Sequence, residues 1–181
     1  GDINSTDGTE PSHARTRQEY LHPRKEYFDR GYEWMLLKEA KRRNPAIFLD
    51  VLQWGAPGWI GDHVPGLTEP PGKRFYSQDN ANFIVSFIEG ARQYHGLTVD
   101  YCGIWNETPY DISWIKMLRR TLDESGLRGV RIVAADQTPD VAPEWKIAEE
   151  ILTDKELADA VHTVGAHYTS STGWKFALKE A

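Results

Sequence analysis

The chain has 181 residues, 40% hydrophobic and 27% charged, enough for one domain with a sizeable core and unlike a disordered or fibrous composition. Its 21 Lys and Arg against 27 Asp and Glu give a formal charge of −6, which argues against nucleic acid or an anionic membrane surface as the main partner. One cysteine, Cys102, excludes an internal disulfide framework, and no apolar run approaches the ~18 residues of a membrane span.

After a polar start, residues 27–44 predict a helix. Tyr27, Phe28, Tyr32, Leu36 and Ala40 recur at helical spacing, Lys41-Arg42-Arg43 suit the helix C-terminus, and Asn44-Pro45 stops it. Residues 46–52 form a mostly apolar run of strand length, and the Gly- and Pro-containing stretch 55–78 predicts a long loop. Asp79 is placed to cap a helix with Phe83, Ile84, Phe87, Ile88, Ala91 and Tyr94 on one face, closed by Gly96. Residues 99–105 read as a second strand. Asp111 then caps a helix with Ile112, Ile115, Leu118 and Leu122 inward, closed by Gly126, and residues 130–134 make a third strand. A broken helix over 145–151 and, after Asp154, 157–160 leads to a fourth strand at 161–166.

Strands alternating with helices imply parallel βαβ units and an α/β fold. A doubly wound sheet gathers its ligands at one switch point, whereas a (β/α)8 barrel brings every strand to one C-terminal rim. Polar or aromatic groups follow each strand here: Gln53-Trp54, Asn106-Glu107, Asp136-Gln137 and His167-Tyr168. No Gly-rich phosphate loop follows any of them, so the barrel is favoured. A barrel needs roughly 250 residues, so about half of one is visible. Both ends lack the look of natural termini, and the chain reads as a piece of a longer protein.

Ile104-Trp105-Asn106-Glu107 is the sharpest chemical element. A Glu leaving an apolar strand into a rim is partly desolvated, which favours the protonated form that a general acid needs. The same Glu would otherwise be an exposed loop carboxylate. Asn106 faces the other side of the backbone, where its amide can meet a substrate hydroxyl. Trp54 opens a constrained loop, Gly55-Ala56-Pro57-Gly58-Trp59, and offers a flat apolar face either to a sugar ring or to the core. His167, beside Tyr168, is placed to hydrogen-bond a sugar or the Glu107 carboxylate. His162 and His167 face opposite sides of a strand, and no histidine spacing supports a metal site.

Thr6-Asp7-Gly8-Thr9-Glu10-Pro11-Ser12-His13, Gly31-Tyr32-Glu33-Trp34, Trp54 with Pro57-Gly58-Trp59, Tyr101 with Gly103-Ile104-Trp105-Asn106-Glu107, and Gly165-Ala166-His167-Tyr168 occur in this order. The ordered set resembles the galactocerebrosidase family, family 59 of the glycoside hydrolases, over essentially the whole chain. The resemblance implies a (β/α)8 TIM barrel in which Glu107 is the acid/base after the fourth strand and the nucleophile Glu follows the seventh, beyond this chain. It implies that Thr6, Trp54 and Asn106 contact galactose, with His167 and Tyr168 as further substrate-side residues. Gly1-Asp2 would then end the second strand, the four strands above would be the third to sixth, and residues 1–181 would be part of one catalytic domain. The activity implied is a retaining β-galactosidase acting on galactosylceramide-like glycosphingolipids, lysosomal or secreted, without cofactor or metal. A lipid-presenting activator protein is left open as a partner. The alternatives are a hydrolase of another β-galactoside, pointed to by the distinctive segment Pro65–Arg74 on the rim, and a non-catalytic sugar-binding barrel. The chain by itself is expected to be inactive.

Overall fold

The computed structural model describes residues 13–61, 74–138 and 145–168. Thr6 and most of the segment 65–74 lie outside them. Among the described residues, a short helix α1 (Arg17–Leu21) and a 3-10 turn (Lys25–Asp29) precede α2 (Glu33–Arg43). Then come β1 (Asp50–Gln53), α3 (Gln78–His95), β2 (Tyr101–Trp105), α4 (Ile112–Glu124) and β3 (Arg131–Gln137). Two helices in tandem, α5 (Lys146–Thr153) and α6 (Lys155–Ala160), lead into β4 (Val161–Ala166).

The four strands form one sheet in the order β1-β2-β3-β4, with each neighbouring pair parallel. A doubly wound sheet reverses its strand order at a switch point, and no reversal occurs across these four. Monotonic order with helical crossovers is the wall of a (β/α)8 barrel. Because the strands are parallel, all their C-terminal ends lie along one edge.

The local chemistry explains most boundaries. In α4, Asp111 accepts from the backbone N–H of Trp114 at 2.7 Å, and Gly126 adopts φ 73 just past the end. Asp154 caps α6 through Leu157 N–H at 3.0 Å. Helix α3 starts two residues earlier than its sequence indicated. Ser77 is the cap, and Asp79 instead accepts from Gly61 N–H at 3.1 Å and pairs with Arg17. Its C-terminus closes with Leu97 N–H on Ala91 and a left-handed Gly96, a Schellman arrangement.

Three expectations are corrected. The helix foreseen over 27–44 is broken: a 3-10 turn buries Phe28, the chain reverses at Gly31 (φ 77), and only Glu33–Arg43 is α-helical. The strand foreseen at 46–52 begins at Asp50, because Leu49 O already takes the N–H groups of Asp100 and Tyr101, where the ladder with β2 starts. The strand foreseen at 130–134 continues to Gln137, so Asp136 belongs to the strand rather than to the loop after it.

Phe83, Ile84, Phe87 and Ile88 of α3, Ile115, Leu118 and Leu122 of α4, and Val51, Cys102, Ile104 and Ile132 of the sheet join one buried cluster. Burial pushes the Cys102 thiol up to about 12, which leaves it an inert core residue. No helix among the described residues is long and apolar enough to cross a membrane.

Candidate active site

The C-terminal edge of the sheet is laced together by backbone hydrogen bonds just past the strands. Asn106 N–H donates to Gln53 O at 3.0 Å, Glu107 N–H to Asp136 O at 3.1 Å, and His167 N–H to Gln137 O at 2.8 Å. Glu107 (φ 50), Asp136 (φ 54) and Tyr168 (φ 49) are the non-glycine residues with left-handed backbones among the described residues, and all sit on this edge. Such conformations cost on the order of 1 kcal/mol or more each, and they persist where surrounding contacts over-determine them.

Two side chains meet here across the intervening strand. Glu107 Oε1 lies 3.1 Å from His167 Nδ1, although the two residues are 60 positions apart. The other ring nitrogen, His167 Nε2, lies 3.3 Å from Asp136 Oδ1. One imidazole therefore bridges two carboxyl groups. Asp136 reaches it through a bulge: Ala135 pairs with Gly165 and Gln137 with Ala166, leaving Asp136 as the unpaired residue between them. Burial pushes the Asp136 carboxyl up from 3.8 to about 6, with the nearby His167 opposing the shift.

A profile of glycosyl hydrolase family 59 matches residues 1–180. The chain belongs to that family. It is 45% identical over 183 residues to the galactocerebrosidase of Salmo salar, with 99% of this chain and 24% of that protein aligned. The human galactocerebrosidase is 43% identical over 169 residues, covering 93% of this chain and 22% of its own. This family 59 chain thus spans about a quarter of the length of the curated relatives it matches. A solved structure, SrfJ from Salmonella typhimurium, superposes with a TM-score of 0.70 at 16% identity, over 91% of this chain and 40% of that one. At that identity the likeness concerns the fold alone.

Within this family 59 chain, the residues singled out in the sequence sort into distinct environments. Trp54 follows β1 and is 57% exposed, with its carbonyl accepting from the Trp105 indole at 3.3 Å. Trp105 in turn stacks on buried Phe75, their ring centroids 3.8 Å apart, so the Trp54 loop rests on an aromatic base. Trp59, from the same loop, is buried and donates to Ala14 O. Asn106 and Glu107 are both half-buried. Tyr168 is 82% exposed and touches His167 edge-on.

Gln53 and Gln137, two of the polar residues that the sequence placed at the strand ends, are fully buried and do structural work. Gln53 exchanges two side-chain hydrogen bonds with Asn80 of α3, at 2.9 and 3.1 Å, which fixes the end of β1 directly before Trp54. Gln137 donates to Thr108 O and so holds the loop that carries Glu107. Asp136 is the participant that sequence reasoning did not assign to the site. A faint signal was present: glycine occupies both neighbouring strands beside it, at Gly103 and Gly165, leaving room for a carboxyl group.

Proposed function

We propose that this chain carries the acid/base residue and part of the sugar site of a retaining β-galactosidase acting on galactosylceramide-like glycosphingolipids. The observation that supports this most is the Glu107–His167 contact on the C-terminal edge of a parallel sheet, in a chain of family 59. The names of the relatives support a galactosylated lipid as substrate. By the same family relationship, a lysosomal or secreted enzyme is the reading for its compartment, and a lipid-presenting protein is a candidate partner.

In this mechanism, protonated Glu107 gives its proton to the glycosidic oxygen as the bond from that oxygen to the anomeric carbon breaks. A second carboxylate, outside these 181 residues, attacks the anomeric carbon from the opposite face. Water then cleaves the glycosyl-enzyme and returns a proton to Glu107. The exposed face of Trp54 suits the apolar C–H side of galactose, and the Asn106 amide suits one of its hydroxyls. Thr6 and Tyr168 are the further proposed contacts. His167 is proposed to serve Glu107 more than the sugar, since its Nδ1 is already engaged by that carboxyl.

The test is Glu107→Gln in the full-length enzyme. Turnover of substrates with poor leaving groups should fall about 10²–10⁴-fold, the usual contribution of a general acid. Activated aryl β-galactosides, whose leaving oxygen needs little protonation, should be affected far less in the step that expels it. Equal losses on both substrate types would remove the acid role. Undiminished turnover on both would show that another group supplies the proton, and no turnover in the unsubstituted enzyme would point instead to a barrel that binds sugar without cleaving it.

A further inference from the structure

Asp136 occupies a place built for it. Its backbone is left-handed at φ 54, inside the bulge between β3 and β4. A Cβ at Gly103 would come within 3.2 Å of its Oδ2, and one at Gly165 within 2.4 Å of its Oδ1. A larger residue at Gly165 would displace the carboxyl group, whereas one at Gly103 would press on it and clash first with Leu52 at 2.5 Å. Oδ2 is buried with no hydrogen-bond partner among the described residues, while Oδ1 faces His167 Nε2 at 3.3 Å. A buried carboxyl kept in such surroundings costs stability, so its contact with the imidazole calls for an explanation.

We propose that Asp136 is a positioning residue that acts on Glu107 through His167. An ionised carboxylate only accepts hydrogen bonds, so the His167 nitrogen facing Asp136 carries the hydrogen. In a neutral imidazole the other nitrogen, Nδ1, is then a bare acceptor. With Asp136 ionised and His167 neutral, the hydrogen in the contact with Glu107 Oε1 comes from Glu107 itself. Asp136 thus selects the tautomer that leaves Nδ1 to accept from Glu107 in its donor form. During turnover, the proton leaves Glu107 for the glycosidic oxygen and returns from water, while His167 and Asp136 exchange none with the substrate. The titratable groups facing Asp136 among the described residues are His167 after β4, Asp50 on β1 and, across the imidazole, Glu107.

This inference rests on Glu107 being the acid, and the test keeps the two claims apart. Asp136→Asn in the full-length enzyme retains the shape that fits between the two glycines but removes the charge, and its amide can donate to Nε2. The kcat/KM for poor-leaving-group substrates should fall about tenfold or more, with little change for activated aryl galactosides. The alkaline limb of the pH profile should move to lower pH, because Nδ1 is then free to carry the hydrogen and donate to the Glu107 carboxylate. Combined with Glu107→Gln, the substitution should add no further loss, since both act on one proton.

Gly165→Ala, which displaces Asp136 Oδ1, should reproduce the same leaving-group dependence and guards against a defect peculiar to the Asn variant. Equal losses on both substrate types, an additive double variant, or an unmoved pH limb would each overturn the inference and mark Asp136 as merely structural. Leaving-group dependence in Glu107→Gln but not in Asp136→Asn would overturn the inference alone. Its absence in Glu107→Gln would overturn the acid assignment and this inference together.

Discussion

Asp136 shows at the scale of one residue what burying a carboxyl group costs. Burial raises its carboxyl to about 6, above its ordinary 3.8. In the folded chain it therefore binds a proton more readily than in the unfolded one. Stability gained from that proton is present at low pH and is lost as pH rises through the folded value near 6. At pH 7 the folded state carries a buried charge that the unfolded state leaves in water. Asp136→Asn should consequently stabilise the full-length protein at pH 7 by on the order of 1–3 kcal/mol, read as a higher melting temperature, and the gain should shrink toward pH 4. A lower melting temperature at pH 7 would mean that contacts to Asp136 outweigh its desolvation. His167 is the opposite kind of residue. Its position at a strand end was plain in the sequence, but its two carboxyl partners lie 60 and 31 positions away.

At the scale of elements, the first turns of the described chain are held by close packing on α3. Phe28 of the 3-10 turn lies so near Gly90 that a Cβ there would meet its ring at 1.8 Å. The same ring sits beside His13, Trp34 and Tyr94 and has little space to retreat. Alanine at a mid-helix glycine normally gains up to about 1 kcal/mol from helix propensity, whereas overpacking a core costs about 1–3 kcal/mol. The clash should win. Gly90→Ala is expected to lower the melting temperature, and adding Phe28→Leu should recover part of the loss. A stabilised Gly90→Ala would show that the 3-10 turn moves freely. The sequence pattern for this region, a continuous helix over 27–44, failed for a related reason. Phe28 does belong inside, but burying it against α3 required a break at Gly31 that hydrophobic spacing cannot register.

At the scale of the whole molecule, the described residues hold four adjacent parallel strands whose C-terminal ends share one edge. Retaining hydrolysis needs two carboxyl groups about 5–5.5 Å apart on opposite sides of the scissile bond. Asp136 does not fill the second role, since its Oδ1 faces His167 from the side opposite Glu107. Residues 1–181 expressed alone should accordingly show no hydrolysis of an activated aryl β-galactoside. Turnover that vanishes in a Glu107→Ala control would show the site to be complete within these residues and would refute the two-carboxylate account. Between relatives that share this sheet, aglycone preference is expected to follow the segment 65–74, most of which lies outside the described residues.

What the sequence determined by itself is what short-range chemistry can specify. The cap at Asp111, the closures at Gly96 and Gly126, the limits of β4, and the βαβ alternation all follow from residues a few positions apart. Glu107 and His167 at strand ends were legible for the same reason, because a strand's hydrophobic run marks where its rim begins. Tertiary structure alone decided the rest. It buried Gln53 against Asn80, turned Trp105 onto Phe75, and extended β3 so that a bulge aims Asp136 at His167. Each depends on the register between strands and on free space supplied by a neighbour, such as the missing side chains of Gly103 and Gly165. No local pattern in one segment encodes a gap left by another.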